Sequence, residues 1–285
     1  MIFIAFMPLL GISQNVQNNY LPDYYSSVVV NHLALVNPAW INTNDTKASF
    51  NVLYKSRVGL LNDVSTQTAY ADVTFKPDLH IRQVARVIFQ NEKEGPYIAS
   101  PKFYGNYSIR IPITEDISIS AGLGLGVSAH DFSAPSGTGH GSVPDGNGGL
   151  ILKYKKLEFG AAAYQFFNNK LVVLNSYLIL KRYNLYYIQA EKELSPFLIL
   201  KGNLFWRQQP LSDIVNSTVM LSYNEFFTMG IMYQYLRGTS FLTTFQFNKI
   251  KNPIVLNLSY NSTFLNTRII KSQSFEIGLQ YKINR

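Results

Sequence analysis

The feature that most restricts this chain is a period of two. In its last stretch Phe275, Ile277, Leu279, Tyr281 and Ile283 alternate with Ser274, Glu276, Gly278, Gln280 and Lys282. Successive side chains on a strand point to opposite sides, so one face is apolar and the other polar or small. The same alternation runs through 254–261, 227–236, 117–128 and 103–111. Spacing at three and four, which a helix face needs, fits these stretches less well. Each segment is about ten residues long, the length of a tilted membrane strand and roughly double an ordinary soluble one.

A soluble sandwich and a membrane barrel both alternate, and composition separates them. The chain carries 19 Tyr and 19 Phe, while charged residues make up only 15%, against about a quarter in soluble domains. Aromatics gather toward segment ends, as in Phe205, Trp206, Phe226, Phe227 and Tyr235, the pattern of an interfacial girdle. No apolar run reaches the roughly 20 residues of a spanning helix. The expected fold is therefore all-β, a transmembrane antiparallel up-and-down β-barrel.

Counting gives 14 segments: 47–59, 65–77, 82–90, 102–113, 117–130, 147–156, 157–167, 177–193, 197–207, 213–223, 226–236, 239–249, 253–261 and 273–284. The eighth is long and breaks most readily near Tyr183. From the fourth segment on, connections after even-numbered segments are short turns. Those after odd-numbered segments read as long loops at 91–101, 131–146, 168–176 and 262–273. Short turns on one side and long loops on the other match outer-membrane barrels, with the short turns in the periplasm. This predicts a bacterial outer-membrane location with both termini periplasmic. Bulky residues such as Tyr104, Arg110, Glu158 and Tyr164 point inward and favour a filled lumen.

Ahead of the barrel, the apolar run Ile2–Ile12 followed by Ser13 reads as a signal peptide, residues 1–13. Residues 14–46 are a different kind of segment, apolar in the middle without clean alternation, and read as a plug or periplasmic latch. The barrel then takes 47–285.

There is no cysteine, and the net charge is +8. Lys and Arg are scattered at strand ends and turns (Lys153, Lys155, Lys156), which suits contact with outer-membrane lipid headgroups and argues against a nucleic-acid partner. Four histidines are present: His32, His80, His130 and His140. His130 and His140 flank a Gly-rich stretch where Asp131 or Asp145 would complete a metal site, but a solvated loop explains them better. Ser128 and His130 lie two apart on one face, two of the three groups of a barrel hydrolase, which also needs an orienting amide or acid. GLGLG at 122–126 lies mid-strand with no helix after it, so it reads as inward glycines that make room for a packed lumen. We expect no cofactor and no enzymatic activity.

Three stretches carry a resemblance. LALVNPAW (33–40), FQNEKEGPY (89–97) and QSFEIGLQYKI (273–283) resemble the N-terminal signature, a strand-and-loop motif and the closing strand of the PorP/SprF-like outer-membrane proteins of Bacteroidetes type IX secretion. The resemblance covers essentially the whole chain after the signal. It implies a non-enzymatic barrel that works with type IX secretion components to export, or hold at the surface, a large partner such as a gliding adhesin, through that partner's C-terminal region. The candidate partner-binding residues are Leu33, Leu35, Asn37, Pro38 and Trp40 in the N-terminal segment, and Asp131, Phe132, His140 and Asp145 in the 131–146 stretch. The alternative from another class is a channel for small solutes.

Overall fold

The computed structural model describes residues 18–19, 27–42, 46–59, 62–75, 81–135, 137–173, 176–208, 213–235, 238–248, 252–265 and 270–284. The predicted signal peptide and His80 lie outside them. Two short 3-10 turns, Ser27–Asn31 and Leu33–Leu35, follow the two-residue strand β1 (Asn18–Asn19). The chain then runs through β2 (Thr46–Val58), β3 (Val64–Phe75), β4 (Arg82–Glu94), β5 (Ile98–Pro112), β6 (Ile117–Ala134), β7 (Gly137–Tyr154) and β8 (Leu157–Tyr164). Next come β9 (Lys170–Val173), β10 (Ser176–Ile179), β11 (Tyr183–Ser195), β12 (Leu198–Gln208) and β13 (Ile214–Tyr223). The last are β14 (Phe227–Gln234), β15 (Gly238–Phe247), β16 (Ile254–Leu265) and β17 (Ile270–Asn284).

Fourteen of these strands, β2–β8 and β11–β17, close into one barrel in which every neighbour is antiparallel. The seam joins first to last, with Leu279 opposite Val52 and Tyr281 opposite Phe50. β9 and β10 leave the wall and form a separate three-stranded sheet with β1, which pairs in parallel with β10.

Solvent exposure settles which face is which. Phe275 and Leu279 are 55% and 50% exposed, whereas Glu276 and Asn257 are 4% and 1% exposed. An apolar outside and a polar inside is the reverse of a soluble core, and it is the arrangement lipid requires. Ring pairs such as Phe226–Phe247 and Phe227–Phe245 at the short-turn end and Tyr186–Trp206 toward the other end add aromatic bands.

All four of the expected long loops contain strand, 168–176 holding β9. β6 and β7 pair all the way to Ala134 opposite Gly137, so 131–146 is a hairpin extension. Likewise β4 and β5 extend into 91–101, and β16 and β17 into 262–273. Gly, Ser and Pro suggested loops there, but small residues pair as well as large ones when a neighbour is supplied. Pro144 is tolerated because β8 stops at Tyr164 opposite Asn147, leaving this part of β7 at an edge where no ladder N–H is needed. The eighth segment does break, between Ile179 and Tyr183, and its first part is β10. At Gln165 and Asn168 the backbone enters the left-handed region (φ 58° and 47°) and turns the chain out of the wall after β8.

Candidate functional site

The barrel interior is occupied by the chain's own residues 27–42. The segment crosses the lumen toward the short-turn end, where β2 begins and β17 finishes. β1 stands on β10 near the other end, because β9 packs over the inward face of β7 at Gly141. Residues 18–19 and Asn284 therefore lie toward opposite ends of the barrel.

The lower part of this segment is fixed by the wall. Gly122 and Gly149 face each other on β6 and β7 and form a slot. A Cβ at Gly149 would sit 2.0 Å from Asn37 Oδ1, and one at Gly122 would sit 2.4 Å from the Pro38 carbonyl oxygen. Only glycine lets the Asn-Pro-Ala turn approach so closely. Asn37 is fully buried, and its amide donates to the Leu150 and Ala161 carbonyls at 3.1 Å each. Its Oδ1 accepts from the Ala39 N–H at 2.9 Å. Around the slot the wall donates to segment carbonyls: Ser108 to Pro38, Tyr164 to Leu35, and Arg110 to Ile41 at 2.8 Å. Arg86, 1% exposed, donates to the carbonyls of Ala34 and Trp40 and pairs with Asp72 at 2.5 Å. A 3-10 turn leaves its last carbonyls open, and here wall side chains satisfy several of them.

Higher in the lumen the contacts are lighter. Ser27 donates its N–H to Glu276 and its hydroxyl to Ser259, and Asn31 donates to Thr244 and Asn257. Because Asn257 Oδ1 accepts from Asn31 and Thr244, its Nδ2 faces His32 Nε2. His32 then carries its proton on Nδ1 and donates to Tyr70 at 2.7 Å. Val30, Leu33, Val36 and Ala39 pack on Leu185, Phe205, Met220 and Leu242, while Ala34 and Leu35 pack on Leu53, Ile88 and Tyr104. A cavity of about 50 Å³ remains beside Leu35, Tyr104, Asn147 and Glu276, space for a few waters at about 10–15 Å³ each.

The proposed site residues thus fall into three places. Leu33, Leu35, Asn37, Pro38 and Trp40 all turn toward the chain's own wall, with Leu33, Asn37 and Pro38 buried. Asp131, Phe132 and His140 sit near the hairpin tip, with Asp131 and His140 paired across the two strands. Asp145 belongs to neither surface. It is buried in the lumen, accepting from Tyr104 and Ser128. Ser128 therefore bonds Asp145, while His130 bonds Ser100, so the two do not form a nucleophile–base pair. Among the described residues no three His, Asp or Glu side chains gather as metal ligands. Sequence reading missed Arg86, Asp72 and Gly149. Alternation does place Arg86 inward, but the slot depends on which glycines meet across the sheet.

Comparison with known proteins gives the fold and the family. CymD, a monoaromatic hydrocarbon channel, superimposes with a TM-score of 0.61 at 10% identity, covering 88% of this chain and 92% of that one. The Pseudomonas putida toluene transporter TodX gives 0.54 at 11%, covering 94% and 95%. A Pseudomonas aeruginosa FadL homologue gives 0.54 at 10%, covering 83% and 90%. At such identity the likeness concerns the barrel alone. No curated protein matches significantly in sequence. The family described as type IX secretion system membrane protein PorP/SprF matches residues 14–281. This outer-membrane β-barrel, with its Asn-Pro-Ala turn locked inside, belongs to the PorP/SprF family of type IX secretion membrane proteins.

Proposed function

We propose that the protein is a non-enzymatic accessory barrel of type IX secretion that binds a large exported partner, such as a gliding adhesin, by the partner's C-terminal region. It helps carry the partner out or hold it at the surface. The observation that carries this reading is the filled lumen: wall groups that would line a pore are instead bonded to residues 27–42. A barrel whose interior is closed by its own chain acts through its surfaces. The extended β6–β7 hairpin, with Asp131 and His140 exposed near its tip, offers one at the long-strand end. In this reading residues 1–13 are a cleaved signal, residues 14–46 include the plug, and the short turns face the periplasm.

The test replaces residues 131–140 in the native host with a two-residue Asn-Gly turn, which joins the paired His130 and Gly141 and closes the hairpin in register. The barrel should remain folded and heat-modifiable while one exported protein disappears from the cell surface. An unchanged surface proteome together with reduced uptake of small solutes would replace this reading with the channel.

A further inference from the structure

Toward the long-strand end, one edge of β7 is open. β8 stops at Tyr164 opposite Asn147, and from there to Gly137 the one ladder partner of β7 among the described residues is β6. The chain after β8 does not follow this edge. Left-handed turns at Gln165 and Asn168 take it out of the wall, and β9 crosses the inward face instead, where a Cβ at Gly141 would lie 2.3 Å from the Val172 carbonyl oxygen.

Register fixes which main-chain groups face the open side. The carbonyls of Pro144 and Gly146 accept from Asn169 Nδ2 and from the Phe166 N–H, both on the β8 side. In an antiparallel ladder the N–H and C=O of one residue point the same way, and successive residues alternate. The β6–β7 register is unbroken from Tyr154 to Gly137. Thr138, His140 and Ser142 therefore share the phase of Pro144 and aim their N–H and C=O at the open edge. No backbone bond takes up these groups among the described residues. The stretch stands beyond the lipid belt. On β6 the exposed Leu123, Leu125 and Val127 give way to Ala129, Asp131 and Ser133, which oppose Ser142, His140 and Thr138, all three exposed. Hydrocarbon forbids an open edge, whereas water allows one. Native edges are usually blunted by Pro, by charge or by a cover. Pro144 does this at the rim of the belt. From Thr138 to Ser142 there is no Pro, and the His140 side chain turns across to Asp131 on β6.

Such an edge pairs with an extended chain, which offers N–H and C=O groups at the matching repeat of about 6.8 Å. A second copy does not fit. All copies point the same way in one membrane, so antiparallel pairing of two β7 edges would invert one barrel. A twofold axis along the membrane normal would cross the strands at about 80°, twice their tilt of roughly 40°. The exported partner does fit, because the proposed function already brings its C-terminal region to this hairpin.

We infer that the β7 edge from Thr138 to Ser142 is a strand-addition site, where an extended segment of the exported partner's C-terminal region joins the barrel sheet by main-chain pairing. This rests on the proposed function and specifies how the partner docks. The first test is the Thr138→Pro/Ser142→Pro variant in the native host. Each substitution removes an edge N–H and leaves the β6 ladder intact, as Pro144 already does. The barrel should stay folded and heat-modifiable, while surface display of the partner falls about tenfold or more, the effect of losing one or two hydrogen bonds. Normal display from the folded variant overturns the inference. If replacing residues 131–140 still abolishes display, the proposed function survives that result; normal display in both defeats it as well. Because proline can also hinder folding, a second measurement stands apart from it. The chain has no cysteine, so Ser142→Cys can be tested against single cysteines scanned along the C-terminal region of a cysteine-free partner. Disulfides should form at alternate partner positions, the period of a strand. Disulfides with helical spacing, only between two copies of this chain, or with no partner position overturn the site.

Discussion

Residues 34–41 and residues 27–31 belong to one lumenal segment, yet the wall holds them differently. In the lower stretch the carbonyls of Ala34, Leu35, Pro38, Trp40 and Ile41 accept bonds from wall side chains, and two glycines are cut away to admit the turn. In the upper stretch the bonds described come from Ser27 and Asn31 to wall oxygens, beside the packing of Val30. Five backbone carbonyls fix the path of the lower stretch whatever its side chains. In the upper stretch one described bond, from the Ser27 N–H, is to backbone, and the others are side-chain ties that last only as long as those residues do. The difference shows where the segment is locked and where it can be loosened.

The largest effect is expected at Arg86. Replacing it with Ala strands the Asp72 carboxylate in the lumen and releases two carbonyls, which should cost about 3–5 kcal/mol. Trp40, whose carbonyl Arg86 holds, reports the change. Quenching of its fluorescence by acrylamide, measured in a Trp206→Phe background, should rise sharply. Unchanged quenching would mean that the clamp does not hold the lower stretch.

A smaller effect is expected from Gly149→Val. The new Cβ meets Asn37 at 2.0 Å, so the turn must shift or leave, at about 1–3 kcal/mol by the usual cost of overpacking. Denaturant unfolding in detergent measures it. A neutral result would remove the slot from the account. Ser27→Ala should be the mildest, at about 1 kcal/mol or less for its hydroxyl bond. Amide hydrogen exchange completes the comparison, since residues 34–41 should exchange far more slowly than 27–31. Equal rates would erase the distinction between the two stretches.

Much of this was legible in the sequence. Alternation at Phe275–Tyr281 and Leu256–Tyr260 declares a two-faced strand, and sparse charge with abundant Tyr and Phe declares which face meets lipid. The extent of the hairpins was not legible. Gly137, Gly139, Gly141 and Pro144 signal loops in any local reading, and only the partner strand β6 makes them strand. In the site, the apolar run around Leu33 foretold docking, and GLGLG foretold inward glycines. That Gly122 meets Gly149 across a strand pair, and that Asn37 fits between them, depends on register. Register is set by the closed barrel rather than by any short motif.

The central claim is that the chain closes its own lumen, and ion conduction tests it most directly. Purified full-length protein inserted into planar bilayers should show no stable open level, while Arg86→Ala, which frees the lower stretch, should show openings. A steady conductance from the unmodified protein would contradict the account, because residues 27–42 would then leave an open path where the structure places a locked turn.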